Sequence, residues 1–505
     1  MGEREVAGLV GWRADWAGLR VAVLGVGVTG FSVADTLVEL GAVTLVLASR
    51  ADEATADLLS VIGARLVVRD LDSAPAPELA DFAPDLIVVS PGFPPRHPQL
   101  RWAEQNGVPV WGDIELAWRL RDKNGEPAKW IAVTGTNGKT TTVQLATAMI
   151  AASGRRVAAC GNVGVPVLDA IRDSVGYDVL VLELSSFQLH YTGSIWPHAS
   201  VCTNVADDHL DWHGSAEAYR QAKAKVYEHT AVACVYNADD DTTRTLVENA
   251  DVVEGCRAIG FGLGTPALGE LGVVDGVLCD RAFTPERQRA AIEITTVQQL
   301  DAVGLGANHM VANVLAASAL ALSLGVGALT IRAALRDFRL DHHRTEVIAE
   351  RDGVRFVDDS KATNPHATEA ALVAFDSVVW IVGGLLKGVR IDQLVTRQAS
   401  RLRAAVVIGA ERGAVLAAFA RHAPDVPVFE VTTLDTKEVM PTAVRLAAAV
   451  AQRGDAVLLA PAAASMDQFR NYEDRGLRFV AAVHEMLGDD ADDDESAPPA
   501  PTPRQ

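Results

Sequence analysis

Apolar residues cluster along the chain in short runs rich in Val, Ile and Leu, separated by longer Ala-rich runs with helical spacing. Strands of a parallel sheet read as near-continuous apolar runs because helices cover both faces of the sheet. The alternation therefore predicts an α/β fold with mostly parallel sheets. The clearest predicted strands cover residues 21–25, 86–89, 131–135, 179–184, 200–205, 355–358, 378–383, 404–408 and 456–460.

The length of the chain and its polar breaks predict several domains. A chain of 505 residues is too long for one hydrophobic core, and typical domain sizes favour about three domains. Polar residues 119–129 form a predicted loop, and another boundary is expected near residues 341–344, after a helix predicted at 311–324. The acidic, Pro-rich end cannot bury a core and is predicted to be disordered. The predicted domains are residues 1–112, 113–340 and 341–487, followed by a tail at 488–505.

Charge and composition exclude several classes of protein. The formal net charge of −20 argues against nonspecific nucleic-acid binding, which needs a basic surface. No window approaches the ~20 uninterrupted apolar residues of a membrane span, and the N-terminus lacks an apolar signal core. The five cysteines show no C-x-x-C pair, which suits a reducing compartment. We expect a cytoplasmic protein that works as a monomer, with no nucleic-acid or membrane partner.

A phosphate loop is predicted after the strand at 131–135. The sequence Val133-Thr-Gly-Thr-Asn-Gly-Lys-Thr-Thr141 lies between an apolar strand and a helix, although Val133 replaces the first glycine of the common pattern. Backbone N–H groups would hold a triphosphate, Lys139 would reach its β and γ phosphates, and Thr140 would bind Mg²⁺. The alternative is a glycine-rich turn with a solvated lysine. The residues predicted to bind ATP are Gly135, Thr136, Asn137, Gly138, Lys139, Thr140 and Thr141.

An earlier glycine pattern, Gly25-Val-Gly-Val-Thr-Gly30, fits the fingerprint of dinucleotide-binding proteins. That interpretation requires an acid about 20 residues further on to hold a ribose hydroxyl, but the next strand ends in Leu47-Ala-Ser-Arg50. An NAD-dependent dehydrogenase is therefore disfavoured, whereas binding of an anionic group at the turn is retained. Ser90, in a loop after the strand at 86–89, either holds another part of such a ligand or belongs to a simple turn.

Charged residues in the middle of the chain follow two predicted strands. Glu183 lies among apolar strand residues, where a carboxylate is costly unless it is paired or metal-bound. His209 lies among carboxylates, but one histidine alone is a poor ligand for Mg²⁺, which prefers oxygen. Taken alone, His209 also fits a structural role, Lys223 fits a solvated helix residue and Asn162 fits a turn residue.

Three loops in the last third also follow predicted strands. Their sequences are Asp359-Ser-Lys-Ala-Thr-Asn364, Gly383-Gly-Leu-Leu-Lys387 and Pro461-Ala-Ala-Ala-Ser465. The carboxyl ends of neighbouring parallel strands meet at one edge of a sheet, so we expect the loops to converge. Two lysines and several hydroxyls suit an anionic ligand, although each loop alone also fits a simple turn.

These segments resemble the Mur ligase family over residues 18–485. The most family-specific pieces are Thr134-Gly-Thr-Asn-Gly-Lys-Thr140, Leu182-Glu-Leu-Ser-Ser-Phe-Gln188, Asp208-His-Leu-Asp211, Asp359-Ser-Lys-Ala-Thr-Asn364 and Ala464-Ser-Met-Asp-Gln-Phe469. The resemblance implies three domains: a Rossmann-like N-terminal domain, a P-loop ATPase-like central domain and a Rossmann-like C-terminal domain. It also implies an ATP-dependent ligase that adds D-glutamate to UDP-N-acetylmuramoyl-L-alanine through an acyl phosphate, in peptidoglycan precursor synthesis.

The resemblance further implies roles for single residues. Thr140 and Glu183 match the ligands of one Mg²⁺, and His209 with a carbamylated Lys223 matches those of a second, so that Lys139, His209 and Lys223 are the candidate catalytic residues. Residues that match the site for the UDP-linked substrate are Val28, Thr29, Ser90, Asn162 and Ser185. Residues that match the D-glutamate site are Lys361, Thr363, Lys387, Ser465 and Tyr472, the last standing where such ligases often carry Phe. Residues that match nucleotide contacts are Asn313, Arg344 and Asp359.

Other interpretations stay open on the sequence alone. A sibling ligase that adds L-alanine, a diamino acid or a dipeptide is the nearest alternative, and folylpolyglutamate synthase is a further one. The unit at Gly25 disfavours the folate enzyme, which begins with its ATPase domain, and the loop at residues 359–364 favours glutamate over a diamino acid. A nucleotide switch or scaffold protein would turn over ATP slowly and independently of any amino acid.

Overall fold

The computed structural model describes residues 6–339, 342–410, 412–433 and 435–488. The chain forms two compact units, one built from the residues up to 207 with 212–339, the other from 208–211 with the residues from 340 on. Three mostly parallel sheets confirm the predicted α/β fold. The predicted disordered tail falls, from residue 489 on, outside the described residues, and the boundaries of the three predicted domains stay a prediction.

Five parallel strands form the first sheet. They are β1 (Arg20–Leu24), β2 (Val43–Ala48), β3 (Arg65–Val68), β4 (Leu86–Val89) and β5 (Val110–Gly112). The strand order is β3-β2-β1-β4-β5. The order of the strands therefore reverses between β1 and β4, and open α/β sheets bind their ligands at such a switch point. The helices of this part are α1 (Val28–Glu39), α2 (Glu53–Ile62), α3 (Pro77–Phe82), α4 (Pro98–Gln105) and α5 (Asp113–Arg119), after a short 3₁₀ turn at Val6–Gly8.

The second sheet has nine strands and belongs to the same unit. They are β6 (Lys129–Thr134), β7 (Val157–Gly161), β8 (Val179–Glu183), β9 (Ala199–Cys202), β10 (Ala233–Asn237), β11 (Arg257–Phe261), β12 (Glu270–Val274), β13 (Val277–Asp280) and β14 (Ile292–Thr296). The order is β14-β13-β12-β11-β10-β9-β6-β8-β7. Strand β6 therefore lies between β8 and β9, and the loops after these three parallel strands meet at one edge.

The helices that accompany the second sheet vary widely in length. They are α6 (Lys139–Ala151), α7 (Val167–Arg172), α8 (Ser186–His190), α9 (Leu210–His213), α10 (Ala216–Ala224), α11 (Asp241–Glu248), α12 (Val297–Asp301), α13 (Asn308–Ser323) and α14 (Ala328–Asp337). No helix among the described residues is both long and apolar enough to cross a bilayer.

An antiparallel extension of the second sheet was not predicted. Strand β13 pairs antiparallel with both β12 and β14. Each of these strands has only two buried residues among partly or fully exposed ones, so they lack the continuous apolar run that marked the parallel strands.

One apolar core joins the two sheets of the first unit. Val21 and Val23 of β1 belong to the same buried cluster as Leu180 and Leu182 of β8, together with Trp16. Because close-packed interiors are rigid, this shared core fixes the glycine turn after β1 relative to the phosphate loop after β6.

The second unit contains a six-stranded sheet. Its strands are β15 (Glu346–Arg351), β16 (Val354–Asp358), β17 (Val378–Gly383), β18 (Leu402–Ile408), β19 (Val428–Glu430) and β20 (Ala456–Leu459). The order is β15-β16-β20-β17-β18-β19. Among the described strands of this sheet, only β15 and β16 pair antiparallel. Its helices are α15 (Pro365–Leu372), α16 (Asp392–Gln398), α17 (Gly413–His422), α18 (Val439–Val450) and α19 (Tyr472–Leu487), with a 3₁₀ turn at Ala399–Arg401.

Candidate active site

The phosphate loop joins β6 to α6 as the sequence predicts. Gly138 caps α6 in a left-handed conformation with φ of 79°, which favours glycine. A side chain at this position would overlap the amide of Asn313 on α13, so the glycine also lets the loop pack against that helix. Asn313, a predicted nucleotide contact, thereby lies beside the loop. The first turn of α6 carries no acid, which leaves its positive end available to an anion.

Two lysines meet the same backbone carbonyl in the loop. Lys139 Nζ donates to the carbonyl oxygens of Gly135 and Thr136, each at 2.9 Å. Lys223 Nζ donates to the oxygen of Gly135 at 2.6 Å, and Lys223 is only 1% exposed. The structure thus excludes a solvated Lys223. Two ammonium groups beside one loop create a positive potential that suits a triphosphate.

The loop is braced from the end of β9 by two residues that sequence reasoning did not single out. Thr203 Oγ1 donates to the Asn137 carbonyl oxygen at 2.6 Å. Asn204 Oδ1 accepts from Asn137 N at 2.9 Å, and its Nδ2 donates back to the Asn137 oxygen at 3.1 Å. These bonds satisfy backbone groups of Asn137 and hold the loop open.

Helix α10 contacts the loop through a second residue besides Lys223. Tyr219 OH lies 3.0 Å from Thr136 Oγ1, and the Lys223 ammonium lies 4.7 Å from the centre of the Tyr219 ring. Tyr219 and Lys223 are one helical turn apart, which places both on the buried face of α10. The motif Tyr219-Arg-x-x-Lys223 is therefore a geometric unit.

A carboxylate lies next to the hydroxyl that the sequence assigns to Mg²⁺. Glu183, the last residue of β8, is 2% exposed. It accepts a hydrogen bond from Thr140 Oγ1 at 2.7 Å and another from Asn162 Nδ2 at 2.8 Å. The structure therefore brings together Thr140, Glu183 and Asn162.

This cluster fits a Mg²⁺ site that is shared with phosphate. Carboxylate and hydroxyl oxygens are the ligands that Mg²⁺ prefers, with waters and phosphate oxygens completing its shell. No group of three His, Cys, Asp or Glu side chains in the described ranges is arranged to hold a metal by itself. Any metal here would therefore depend on the Thr140 hydroxyl and on oxygens of the bound nucleotide.

His209 belongs to the short segment 208–211 that is grouped with the second unit. Its backbone lies in the left-handed region with φ of 52°, which costs about 1–3 kcal/mol and occurs preferentially at functional sites. Its Nε2 lies 3.6 Å from Asp208 Oδ2. The role of His209 as a metal ligand stays a prediction.

The glycine turn of the first sheet packs tightly against β4. Gly30 fits against the Gly25 carbonyl, where any side chain would overlap the backbone. The Ser90 hydroxyl, after β4, is buried near Gly25 and has no hydrogen-bond partner among the described residues. Val28 is 76% exposed at the start of α1. The turn therefore presents an open helix end, an exposed apolar side chain and an unused hydroxyl.

Ser185, another predicted substrate contact, is held by a hydrogen-bond relay. Ser185 caps α8, where Gln188 N donates to Ser185 Oγ and Ser185 N donates to Gln188 Oε1. Gln188 Nε2 in turn donates to Asp113 Oδ2 at 3.0 Å. Since an amide must present its oxygen to Ser185, Asp113 fixes which way Gln188 points.

Burial of Asp113 predicts a pH dependence of stability. Desolvation raises the pKa of Asp113 from 3.8 to about 6, although the Gln188 hydrogen bond lowers it. A carboxyl group with a raised pKa in the folded state stabilises the fold below its unfolded pKa, and this stability is lost as pH rises through the folded pKa. Asp113→Asn should therefore be more stable than the native chain above pH 6, by about 2–3 kcal/mol, with little difference near pH 4.

Urea unfolding of both proteins between pH 4 and 8, monitored on the first unit, measures this difference. Subtracting the native curve removes the contribution of every other titrating group. Identical pH slopes for the two proteins would contradict the assignment.

In the second unit, the three predicted loops converge. Leu385 and Ala464 exchange two backbone hydrogen bonds of 2.9 Å, which join the loops after β17 and β20. Ala462 N donates to the Ala362 carbonyl at 3.0 Å and so joins the loop after β20 to that after β16. The expectation of a shared loop cluster is confirmed.

The predicted D-glutamate residues lie on these joined loops or beside them. Lys361 Nζ donates to Tyr472 OH at 3.1 Å, and Ser465 is buried at the end of its loop. Lys387 has a left-handed backbone with φ of 52°. Thr363 follows Lys361 by two residues, and its N–H donates to the Lys361 carbonyl at 2.8 Å.

A buried arginine that sequence reasoning missed lies behind two of the loops. Arg475 on α19 is 0% exposed. Its Nε donates to Ser360 Oγ, its Nη2 to the Ser360 carbonyl and its Nη1 to the Ala463 carbonyl, at 3.0, 2.7 and 3.1 Å. Burial lowers the pKa of Arg475 to about 9, so the group stays cationic at neutral pH.

Asp359 and Arg344, the predicted nucleotide contacts of this unit, are neighbours. Desolvation raises the pKa of Asp359 to about 7, while the Thr345 N–H and the Arg344 charge lower it. His343 precedes Arg344, and its Nδ1 is hydrogen-bonded to Asp358 Oδ2 at 2.7 Å. This pair anchors the segment that carries Arg344 to the end of β16.

Comparison with known proteins assigns the chain to a family. Residues 19–112 match the MurD-like N-terminal domain of Mur ligases, residues 133–321 the Mur ligase middle domain and residues 343–463 the Mur ligase glutamate ligase domain. The chain is 61% identical, over 98% of both chains, to the UDP-N-acetylmuramoylalanine--D-glutamate ligase of Leifsonia xyli. The chain belongs to the Mur ligase family.

A second relative agrees with this assignment, and two solved structures share the fold. The Streptomyces coelicolor enzyme of the same name is 50% identical over 94% of this Mur ligase and 99% of its own length. The fold resembles a Thermotoga maritima UDP-N-acetylmuramate-alanine ligase, with a TM-score of 0.52, 18% identity and coverage of 93% and 100%. It also resembles MurF ligase from the same organism in complex with ADP, with a TM-score of 0.51, 18% identity and coverage of 94% and 96%.

The Mur ligase motifs contained most of the candidate residues but only some of the residues that support them. Gln188 ends the motif at residues 182–188, and Thr203 lies shortly before the motif at residues 208–211. Their closeness to these motifs in the sequence could have indicated that they lie near the site. Asp113 and Arg475 lie in stretches that read as ordinary charged surface, and their burial emerges only from the fold.

Proposed function

We propose that this Mur ligase adds D-glutamate to UDP-N-acetylmuramoyl-L-alanine, with ATP converted to ADP and phosphate. The observation that carries the proposal is the 61% identity over 98% of both chains to a relative that bears this name. Two features of the chain support it: a phosphate loop with an adjacent buried carboxylate, and a cationic loop cluster suited to a dicarboxylic amino acid.

The first half of the reaction makes the L-alanine carboxyl group electrophilic. Transfer of the γ phosphoryl group of ATP to that carboxylate gives an acyl phosphate. This activated species does not form spontaneously in water. Lys139 and the backbone N–H groups of the loop hold the β and γ phosphates and stabilise the charge that develops during transfer. Asn313, packed against Gly138, and the pair Arg344 and Asp359 position the nucleotide.

Thr140 and Glu183 would hold one Mg²⁺, and His209 with a carbamylated Lys223 would hold a second. When bound, the metal ions neutralise the triphosphate and polarise its oxygens. Carbamylation supplies Lys223 with carboxylate-like oxygens, the ligand type that Mg²⁺ prefers. The buried position of the Lys223 amine at Gly135 supports a role at the loop, and we propose that this amine is carbamylated.

The second half joins the amine of D-glutamate to the activated carboxyl group. The amine attacks the acyl phosphate, a tetrahedral intermediate forms, and phosphate leaves as the amide closes. Lys361, Thr363, Lys387, Ser465 and Tyr472 bind the two carboxylates of D-glutamate. Binding both carboxylates orients the amine, and such orientation supplies much of the rate of a reaction between two bound substrates.

The UDP-linked substrate binds at the turn after β1. Its diphosphate lies at the open N-terminus of α1 near Thr29. Val28, which is exposed, and Ser90, whose buried hydroxyl has no hydrogen-bond partner among the described residues, provide further contacts. Asn162 and Ser185 bind the muramoyl part of the substrate. We further propose that the enzyme works as a monomer in the cytoplasm, where ATP and UDP-linked precursors are available.

The test is phosphate release from ATP with UDP-N-acetylmuramoyl-L-alanine and a panel of amino acids. Release with D-glutamate, but not with L-glutamate, L-alanine or a diamino acid, is expected. The Lys139→Ala protein, purified in the same way, controls for contaminating ATPases. Equal phosphate release with L-glutamate, or release only with a diamino acid, would contradict the assignment.

Tyr472 provides a narrower prediction. Its hydroxyl accepts from Lys361 Nζ at 3.1 Å and donates to Glu473 Oε1 at 2.9 Å, so it holds the lysine that binds D-glutamate. Tyr472→Phe should raise the KM for D-glutamate about 2- to 10-fold, the value of one hydrogen bond, with kcat nearly unchanged. Steady-state kinetics measure this, with Tyr177→Phe, in the other unit, as the control. An unchanged KM would contradict the role of the hydroxyl.

A further inference from the structure

Two cysteines of the first unit touch each other away from the phosphate loop. Cys234 lies on β10, and Cys256 directly precedes β11, which pairs in parallel with β10. Both are free thiols, and their Sγ atoms are 3.7 Å apart. Two thiols at this distance are in direct contact.

The two thiols differ in environment. Cys234 is 2% exposed and also accepts a 3.8 Å hydrogen bond from Ser200 Oγ, whereas Cys256 is only partly buried. The hydrogen bond from the Cys234 thiol lowers the pKa of Cys256, and the same contact, reinforced by burial, raises the pKa of Cys234. Cys256 is thus the more accessible and more easily ionised thiol, the two properties that make a cysteine reactive.

We propose that Cys234 and Cys256 form a redox-active pair, in which Cys256 reacts first with a peroxide-class oxidant and Cys234 then closes a reversible disulfide. The pair protects the accessible thiol from irreversible oxidation. Neither cysteine takes part in the proposed ligase reaction, so the inference is independent of the proposed function.

The chemistry balances without any further reactant. The Cys256 thiol loses its proton, and the thiolate attacks one oxygen of hydrogen peroxide. The O–O bond breaks, and the leaving hydroxide takes up that proton, so that Cys256 sulfenic acid and water are formed. The Cys234 sulfur then attacks the sulfenic sulfur, an S–S bond replaces the S–O bond, and the Cys234 proton leaves with the hydroxyl as a second water. Two thiols lose two electrons, and one peroxide gains them.

The geometry permits closure by movement of one side. An S–S bond is about 2.05 Å long, so the sulfur atoms must approach from 3.7 Å. Cys234 is fixed within the β10 ladder. Cys256 lies in a turn, where its N–H donates to the Val253 carbonyl at 3.0 Å, outside the regular part of β11. The movement is therefore expected at Cys256.

The experiment is oxidation of the full-length native protein with stoichiometric hydrogen peroxide, followed by alkylation under denaturing conditions and peptide mass spectrometry. The expected product is a Cys234–Cys256 linked peptide with a mass about 2 Da below the sum of its two parts, which disappears on treatment with dithiothreitol. Cys256→Ser should abolish it, and Cys279→Ser, which alters another partly buried cysteine, should not.

A second variant tests the order of events. In Cys234→Ser no resolving thiol is present, so two or more equivalents of hydrogen peroxide should take Cys256 on to the sulfinic acid, a gain of about 32 Da that dithiothreitol does not reverse. Alkylation of both cysteines after peroxide treatment of the native protein would overturn the proposal. So would sulfinic acid at Cys256 in the native protein, or disulfides formed only between molecules.

Discussion

Replacing Lys223 by alanine is expected to lower the ligase rate on the order of 10²- to 10³-fold, the effect of removing one group that stabilises charge in a transition state. Lys223 is 1% exposed and its Nζ lies 2.6 Å from the Gly135 carbonyl oxygen, so its truncation leaves a small polar cavity at the phosphate loop. If the active form is a carbamate, formate or acetate should enter this cavity and restore part of the rate. Measurements of phosphate release with increasing carboxylate check both effects.

Lys225→Ala is the matched control for this rescue. Lys225 lies two residues further on, and its Nζ donates to the carbonyl oxygens of His190 and Thr192 at 2.9 and 3.0 Å. Its loss removes structural hydrogen bonds but no proposed metal ligand, so carboxylates should not stimulate the variant. A fully active Lys223→Ala protein, or equal stimulation of both variants, would refute the proposed role. Rescue confined to Lys223→Ala would separate a carbamate from a purely structural lysine.

The fold was predictable where burial leaves a continuous apolar run. Strands such as β8 and β17 are buried at every position, and their sequences contain few polar residues to obscure this. The strands β12, β13 and β14 each bury only two residues, which is a weaker pattern over so few positions. The parallel core was therefore predicted and the antiparallel edge was not.

The candidate site was predictable where a backbone conformation requires a particular residue. Gly138 must be glycine because its backbone is left-handed and Asn313 packs against it, and this requirement is visible as a motif. The burial of a lysine is not visible in this way. Lys223 and Lys225 stand on the same stretch of polar sequence, and only the packing of α10 buries the first almost completely. Spacing alone therefore leaves their roles undecided, and the resemblance to the family was needed to choose Lys223.

The supports of the site are harder still to predict, because they act through the backbone. Thr203 and Asn204 bind the Asn137 carbonyl and N–H, groups that every residue possesses. The sequence therefore contains no complementary side chain that would reveal these two contacts. In the second unit Arg475 has the same character, since two of its three acceptors are carbonyl oxygens.

Arg475→Met is expected to destabilise the second unit by about 2–4 kcal/mol, because methionine fills a similar volume but leaves several buried acceptors without a donor. The Ser360 carbonyl, the Ser360 hydroxyl and the Ala463 carbonyl all lose the hydrogen bond donated by the arginine. Ser360 precedes Lys361, and Ala463 lies two residues before Ser465, so both halves of the proposed D-glutamate site lose a common anchor. The KM for D-glutamate should therefore rise more than the KM for ATP, because the phosphate loop belongs to the other unit and only the proposed nucleotide contacts Arg344 and Asp359 lie in this one.

Arg478→Met provides the comparison on the same helix. Arg478 pairs with Asp474 at 3.0 Å, and its side chain is 31% exposed, so its loss should cost less than about 1 kcal/mol. Urea unfolding and steady-state kinetics on both variants measure the two effects. If Arg475→Met unfolds at the same urea concentration as the native protein and its KM for D-glutamate is unchanged, the arginine does not position the loops. If stability falls but both KM values rise equally, its role is general packing, because a positioning residue must act selectively on the substrate whose loops it holds.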